Sequence, residues 1–312
     1  MSALPDGLLR ALLKGAAERA MVWSGGARLA RRRMTGRALV LAYHNVVPDD
    51  APPMGDRANH LPLASFRAQM RELRSTHDVV PLAELLTLAP RRATRPRAAI
   101  TFDDAYRGTI TLAIPELVRL GLPATVFVAP AMLGGKTFWW DALGSAGDGL
   151  DAGVRGRALH ELCGQEESVR RWARDAGLDL ARMPDMACTA SEDEVVAVAA
   201  LPGISLGSHS WSHPNLTRIS QSELSSELAR PLAWLTSRVA KPLPWIAYPY
   251  GCFDGEVERA AAAAGYSAAL GVSGGWLSSR TTADLFALPR ENIPPGLSIH
   301  GFVMRGAGLL NA

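Results

Sequence analysis

Two short motifs, far apart in the chain, contain the residues best suited to chemistry. Asp103 and Asp104 follow Thr101 and Phe102, and His209 and His213 form a His-x3-His motif later in the sequence. One carboxylate and two imidazoles are a donor set for a divalent cation with open coordination positions, and the second carboxylate can act as a base. Together these residues predict metal-assisted hydrolysis.

Each motif also has a purely structural interpretation. The Asp pair could form a turn or cap a helix, and the two histidines could lie on the surface of a helix. The combination favours a metal site, because both motifs follow short apolar segments that are typical of buried strands.

These apolar segments alternate with helical patterns along the chain. A capping box at Ser220 and Glu223 begins one helix, Gly265 ends another, and Ser65 is expected to cap a helix reaching Thr76. The alternation predicts an α/β fold with a parallel sheet, and the number of repeats favours a barrel, with the reactive residues at the strand ends where barrel enzymes carry their sites. The predicted strands cover residues 38–43, 98–102, 123–128, 204–206, 245–248, 266–272 and 287–290.

Two stretches fall outside this alternation. Residues 131–200 are longer than a connection between strand and helix requires, and they are predicted to be a mostly helical insertion entered through Phe138, Trp139, Trp140 and Asp141. Residues 1–36 form a separate N-terminal segment, so that 37–312 constitute the expected catalytic domain.

Composition excludes several classes of protein. The chain has 312 residues, of which 48% are hydrophobic and 20% charged, which is ordinary for a globular domain. No apolar run reaches the roughly 18 residues of a membrane span, and no secretory signal pattern is present at the N-terminus. The three cysteines show no CxxC motif, which favours free thiols and a cytoplasmic location.

Positive charge is concentrated at the N-terminus. Residues 1–40 carry a local net charge of +6, although the whole chain carries only +3. Leu8, Leu12, Ala16, Ala20 and Trp23 form an apolar stripe at helical spacing. The helix could lie on the anionic inner face of a membrane, or pack its stripe on the main domain and expose its polar face. Nucleic-acid binding is not expected, since no aromatic-studded basic surface follows.

The motifs resemble those of the polysaccharide deacetylase family, the NodB-homology enzymes of carbohydrate esterase family 4. The resemblance rests on Thr101-Phe-Asp-Asp104, His209-x3-His213 and Tyr248-Pro-Tyr-Gly251 in the family's order, and it covers residues 38–300 apart from the insertion. It implies a distorted (β/α)7 barrel.

The resemblance also implies roles for individual residues. Asp104, His209 and His213 would bind the metal, and Asp103 would be the general base. The backbone N–H of Tyr250 would stabilise the oxyanion in a substrate-side loop that includes Pro249 and Gly251.

Two family positions differ in this chain. Ahead of the Pro-Tyr-Gly motif the family usually has an arginine that orients the base, but this chain has Ile246, Ala247 and Tyr248 there. Arg290 could supply that guanidinium instead. The late Leu-x-x-His motif matches at His300, beyond the last predicted strand, so that His44 is the preferred general acid.

The predicted activity is removal of an N-acetyl group, or alternatively an O-acetyl group, from a sugar in a glycan or glycoconjugate. Zn²⁺ is the expected metal because of the two imidazoles. Trp139, Trp140 and Trp211 could stack on sugar rings or pack in the core. The alternatives are hydrolysis of another amide, such as an imide or ureide, and non-catalytic glycan binding; the oligomeric state has no sequence signal.

Overall fold

The computed structural model describes residues 6–86, 94–144, 149–272, 274–278 and 284–310. Its helices are α1 Asp6–Trp23, α2 Gly26–Arg33, α3 Leu63–Thr76, α4 Ile114–Leu120, α5 Trp139–Leu143, α6 Ala152–His160, α7 Glu166–Asp175, α8 Glu192–Ala199, α9 Gln221–Arg238, α10 Gly255–Ala264 and α11 Ile299–Arg305. Its strands are β1 Ala38–Tyr43, β2 Asn45–Val47, β3 His60–Pro62, β4 Asp78–Val79, β5 Arg97–Phe102, β6 Ala124–Val128, β7 Ile204–Ser208, β8 Trp245–Ala247, β9 Ala268–Leu270, β10 Trp276–Leu277 and β11 Glu291–Asn292.

The main sheet is parallel over most of its width. Strands β1, β5, β6, β7, β8 and β9 pair in that order, all parallel. The short β4 pairs with the start of β5, and β10 runs antiparallel to β1. The predicted parallel α/β architecture is therefore confirmed.

The segment from Leu288 to Asn292 connects the two edges of this curled sheet. Leu288 forms a parallel bridge with Leu270 of β9, and β11 pairs in parallel with Leu41 and Ala42 of β1. The sequence predicted a continuous strand over 287–290, and this is wrong. Pro289 has no N–H to donate, so pairing is interrupted after Leu288 and resumes at Glu291.

The apolar strands are buried on both faces. In β1, Leu39 and Leu41 belong to the core cluster between the sheet and the helices, whereas Ala38 and Val40 belong to a second cluster with Phe127. Alternate residues of a strand point to opposite faces, so a strand that is covered on both sides reads as a continuous apolar run.

Helix ends follow the expected signals with one exception. Ser220 and Glu223 form a reciprocal capping box, and Gly265 ends α10 in the left-handed conformation with φ 100°. The prediction that Ser65 caps α3 is wrong, because the helix begins at Leu63, after Pro62. Pro62 is the N-cap residue, and Asp49 Oδ1 accepts the free N–H of Ala64 at 2.7 Å, so the helix start does not depend on the Ser65 hydroxyl.

The segment 131–200 contains helices α5 to α8 and has its own apolar cluster. Phe138, Trp139 and Trp140 pack with Tyr106 and with residues of α6 and α7. Helix α8 packs on β7, and its Val195 joins the main core. The barrel's own helices therefore resume at α8.

The N-terminal helices pack on the C-terminal helix. Glu18 of α1 is buried and accepts a hydrogen bond from Ser298 Oγ at 2.6 Å. Ala27 of α2 packs with Val303 and Ala307. Among the helices of the described ranges, none is long and apolar enough to cross a membrane.

Candidate active site

The two predicted motifs meet at the carboxyl ends of β5 and β7. Asp103 and Asp104 follow β5, and the Asp103 N–H donates to Tyr43 O at 2.9 Å before the chain turns. His209 follows β7, its N–H bonded to Val128 O at 2.8 Å. The His213 N–H donates to Ser210 Oγ at 3.0 Å, which holds the second imidazole on the same loop.

Asp104, His209 and His213 bring three ligand atoms to one point. Asp104 Oδ1 lies 3.3 Å from His213 Nε2 and 3.6 Å from His209 Nε2. The two Nε2 atoms are 3.1 Å apart, and all three side chains are buried. These atoms all lie within 4.8 Å of one another, which is a spacing that one cation can bridge.

The protonation of His209 matches a cation ligand. Its Nδ1 lies 2.7 Å from Ala247 O and must donate to it, which leaves the lone pair on Nε2. Burial, with a smaller contribution from His213, lowers the pKa of His209 to about 4 against the opposing effect of Asp103. Within the described residues Asp104 Oδ1 has no hydrogen-bond partner. A lone pair and an unpartnered carboxylate oxygen facing each other fit a bound cation.

Arg290 holds the neighbouring carboxylate. Its two terminal nitrogens lie 2.7 and 2.8 Å from the two oxygens of Asp103, and both side chains are buried. Arg290 Nε also donates to Gly271 O at 3.0 Å. Burial alone would raise the pKa of Asp103, but the Arg290 guanidinium, with His209 and His44, holds it well below its usual range.

An open cavity of about 330 Å³ surrounds these groups. Its wall includes His44, which is half-buried. Of the predicted substrate-binding residues, Trp140 and Gly251 line it, together with Tyr250. The other lining residues are Asp56, Ala58, Asn59, Asp103, Asp104, Arg155, Leu159, His209, His213, Val272 and Asn292.

Four other predicted residues lie away from this cavity. Trp139 is fully buried, and Pro249 is buried in the turn after β8. The Trp211 ring lies 3.9 Å from the guanidinium carbon of Arg230, outside the cavity wall. His300 contacts Trp23 of α1, with ring centroids 6.5 Å apart. The structure therefore does not place Trp139, Pro249, Trp211 or His300 in the wall of this cavity.

Aromatic side chains enclose His213. The rings of Tyr250 and Trp140 have centroids 4.6 and 4.9 Å from the imidazole. Tyr250 OH accepts from Trp139 Nε1 at 3.0 Å and donates to Gly164 O at 3.2 Å. Burial raises the pKa of Tyr250 well above its ordinary value, so its hydroxyl stays protonated and keeps this enclosure in place.

Asp141 connects the insertion to the cavity wall. Its carboxylate is fully buried, accepts from Tyr106 OH at 2.6 Å and from the backbone N–H of Asp56 at 3.0 Å, and lies 3.0 Å from His60 Nε2. Tyr106 OH in turn accepts from Trp140 Nε1 at 2.9 Å. One carboxylate thus fixes two parts of the wall, Trp140 and the loop at Asp56.

Several polar residues of the wall were missed from the sequence. Asp56 forms an ion pair with Arg155, and both line the cavity beside Asn59. Asn292 also lines it, and its Oδ1 is buried with no partner in the described part of the chain. These residues lie in a loop, the insertion and the last strand, where no local motif marks them; only Asn292, two residues after Arg290, had a position that could have suggested a role.

Comparison with known proteins gives a consistent result. The model of the polysaccharide deacetylase family matches residues 91–269. A curated relative, the polysaccharide deacetylase homologue YxkH of Bacillus subtilis (strain 168), is 22% identical over 84% of this chain and 74% of its own length.

Two solved structures have the same fold. The Streptococcus pyogenes deacetylase PplD in complex with acetate has a TM-score of 0.58 at 16% identity, over 87% of this chain and 98% of its own. The polysaccharide deacetylase BC0361 from Bacillus cereus has a TM-score of 0.61 at 17% identity, over 87% and 69%. The predicted distorted (β/α)7 barrel is thereby confirmed. Because the family model covers more than half of the sequence, this chain belongs to the polysaccharide deacetylase family.

Proposed function

We propose that this protein is a metal-dependent hydrolase that removes an N-acetyl group from a sugar in a glycan or glycoconjugate. The single observation that carries the proposal is the placement of the Arg290-bound Asp103 carboxylate beside the converging atoms of Asp104, His209 and His213. A base held next to a cation site is the arrangement that hydrolysis of an unactivated amide requires.

Asp104, His209 and His213 are the residues that would hold the metal. Two imidazole nitrogens and one carboxylate oxygen favour Zn²⁺ or a similar first-row cation over Mg²⁺ or Ca²⁺, which prefer oxygen ligands. When bound, such an ion supplies Lewis-acid activation of the attacking water and of the acetyl carbonyl.

Asp103 takes a proton from the attacking water. Its depressed pKa keeps it ionised at neutral pH, and its position 3.9 Å from His209 Nε2 puts it at the edge of the cation site. Arg290 binds both oxygens and so fixes the orientation of the carboxylate. This arginine comes from the last strand segment, not from the position ahead of Pro249 where the family usually carries it.

Two further groups of the wall complete the reaction. The backbone N–H of Tyr250 stabilises the oxygen that becomes negative when the water adds to the carbonyl. His44 donates a proton to the leaving nitrogen, because it lines the cavity whereas His300 lies against Trp23. The released amine leaves with that proton, and acetate is the second product.

The sugar is held by the polar and aromatic wall. Trp140 offers an aromatic face, and Asn59 and the buried Oδ1 of Asn292 offer hydrogen-bonding groups. The complete set of reactive residues argues against a purely glycan-binding protein. An amide linkage is favoured over an O-acetyl ester because the chain provides a group, His44, to protonate a poor leaving group.

Acetate release from acetylated chito-oligosaccharides, measured with the metal content of the same samples, tests this function. Asp103→Asn should lower turnover at least about a thousandfold and retain the metal, because only the base is removed. Asp104→Asn should lose both. His44→Ala should slow turnover strongly, while the matched variant His300→Ala should resemble the wild type.

Three results would contradict the proposal. Full activity of a metal-free sample would exclude the cation mechanism. Loss of metal in Asp103→Asn would show that the roles of the two aspartates are exchanged. Bound metal without acetate release from any N-acetylated sugar, lipid-linked and nucleotide-linked sugars included, would point to another amide or to an ester.

A further inference from the structure

Helix α1 exposes an apolar face to solvent. Leu13, Ala16, Ala17, Ala20 and Trp23 recur at helical spacing and are all exposed, with 61% of Leu13 and 78% of Trp23 accessible. Surface helices normally turn such a face inward. Of the predicted stripe, Ala16, Ala20 and Trp23 therefore do not pack on the main domain, and the side chains of Leu8 and Leu12 lie outside the described part of the structure.

The inward face of α1 is held by one polar and one apolar contact. Glu18 is buried and bonded to Ser298, the N-cap residue of α11, and Val22 packs against the cluster of Ala27, Val303 and Ala307. Position 18 lies on the opposite side of the helix from Leu13 and Ala20 at 100° per residue. Packing against α11 therefore fixes the apolar face outward as part of the folded structure.

Positive charges surround this apolar face. Lys14 and Arg19 are exposed at its two borders. On the following helix α2, Leu29 is 57% accessible, and the nearby Arg28, Arg32 and Arg33 are also exposed. Alternating apolar and cationic side chains of this kind are the pattern of helices that lie in the interface of a membrane.

The arginines of α2 also line an open cavity of about 310 Å³. Arg28, Arg31, Arg32 and Arg95 surround it, with the hydroxyls of Ser75, Thr76 and Thr94. Within the described ranges their carboxylate partners are Glu72, at 3.3 Å from Arg31, and Asp78, at 3.8 Å from Arg95. Four guanidinium groups against two carboxylates leave the cavity positively charged.

Two further observations show that the positive charge at this cavity is not fully compensated. Arg31 Nε is buried and makes no hydrogen bond to the part of the chain that the structure describes. Burial lowers the pKa of the adjacent His77 to about 3, and Arg31 and Arg95 contribute to that shift. An anion in the cavity would satisfy the guanidinium groups without a further protein carboxylate.

We propose that α1 and α2 form a docking surface for an anionic lipid membrane, with Leu13, Trp23 and Leu29 entering the interface and the cavity arginines binding lipid phosphate groups. If inorganic phosphate alone were the ligand, the apolar side chains of Leu13, Trp23 and Leu29 would remain exposed to water. A second copy of this chain would oppose two positively charged faces, which is unfavourable. This surface is made by the chain's N-terminal helices, distinct from the catalytic cavity, and its test requires no turnover.

Vesicle co-sedimentation of the full chain tests this surface. Vesicles with phosphatidylglycerol should bind the protein, phosphatidylcholine vesicles should bind it at least tenfold more weakly, and added salt should weaken the first interaction. The triple variant R28Q/R32Q/R33Q should lose about a hundredfold in affinity, at about 1 kcal/mol for each arginine. Trp23→Ser and Leu29→Ser should weaken binding to the same vesicles.

The matched control removes three exposed arginines from the insertion. R171Q/R174Q/R182Q has the same net charge as the first triple variant and should bind like the wild type. Equal weakening by both would show a nonspecific charge effect and overturn the proposal. So would unchanged binding in R28Q/R32Q/R33Q, or a concentration-dependent dimer in lipid-free solution that Trp23→Ser dissociates, since a second copy would then cover this face.

Discussion

At the scale of single residues, Asp103 has both carboxylate oxygens occupied by Arg290. An anion held in this way is a weak base in the ground state, because the guanidinium stabilises its ionised form. The contact with Arg290 also fixes the orientation of the Asp103 carboxylate, because a bidentate contact leaves it little rotational freedom. Arg290 therefore fixes the orientation of the Asp103 carboxylate and also lowers its pKa.

Replacing Arg290 should move the pH dependence of the reaction in one direction. Its charge lowers the pKa of Asp103 below the ordinary 3.8, while burial acts in the opposite sense. In Arg290→Met only His209 and His44 still oppose the burial effect, so the pKa rises and Asp103 becomes protonated at a higher pH. The acid limb of the kcat/KM profile should therefore shift upward, as measured with a soluble acetylated oligosaccharide.

The same substitution leaves a buried carboxylate without its partner. We expect a loss of about 3–5 kcal/mol in the free energy of unfolding, measured by denaturant titration. Arg290→Lys retains the charge without the bidentate geometry, so it should keep most of the stability and lose kcat. An unshifted acid limb in both variants would show that Asp103 is not the group that titrates.

The convergence of these side chains could be predicted from the sequence because their motifs are local. Asp103–Asp104 and His209–His213 are neighbours along the chain, so residue type and spacing were enough to predict a shared site. The contact between Arg290 and Asp103 joins residues that are far apart in the sequence. It could be suspected only because the family's usual arginine ahead of Pro249 is absent from this chain. Asn292 was not found, because an unpartnered side chain becomes visible only when its surroundings are known.

At the scale of secondary-structure elements, Asp141 joins α5 to the loop before β3. Asp141→Asn should replace a carboxylate that accepts from Tyr106 and Asp56 by an amide with one oxygen. We expect a loss of about 1–3 kcal/mol in unfolding free energy, because buried donors lose their partner. With Trp140 less firmly held, KM should rise more than kcat falls.

Asp175→Asn provides the control for this effect. It makes the same chemical change on an exposed part of α7, the last residue of that helix. Both stability and KM should stay close to the wild type there. A rise in KM of the same size in both variants would mean that Asp141 has no special influence on the cavity.

Strand and helix positions were largely predictable, but their boundaries were less so. Apolar runs predicted β1, β5 and β6 because both faces of these strands are covered. Capping signals located the start of α9 and the end of α10. The last predicted strand is interrupted at Pro289, because Leu288 pairs with β9 and β11 pairs with β1. This arrangement depends on the tertiary structure and has no local signal.

At the scale of the whole molecule, the predicted ligands connect distant parts of the barrel. Asp104 follows β5, and the two histidines follow β7, on either side of β6. A cation bound only by the folded protein stabilises it by about 2.7 kcal/mol at a hundredfold excess over Kd. Removal of metal with a chelator should therefore lower Tm, and adding Zn²⁺ should restore it.

The variant Asp104→Asn distinguishes stabilisation by the bound cation from nonspecific effects of the chelator. Its Tm should respond little to either treatment in differential scanning fluorimetry, because one ligand is missing. An equal response of wild type and variant would place the stabilising cation elsewhere.

The global fold was predictable from strand–helix alternation. The outward orientation of the exposed face of α1 was not predictable, since it depends on packing against α11 at the other end of the chain.

The backbone around the reactive groups has a consequence for how this sequence can change. Asp104, Ala105, Ser210, His213 and Tyr250 all have φ between 49° and 70°, and Cys163 is the one other non-glycine residue with positive φ in the described ranges. This left-handed conformation costs roughly 1–2 kcal/mol for residues such as alanine and tyrosine, and less for aspartate. Selection for thermal stability alone would therefore favour glycine or asparagine at Ala105, Ser210 and Tyr250, so stabilising substitutions would fall in the loops that carry the candidate site.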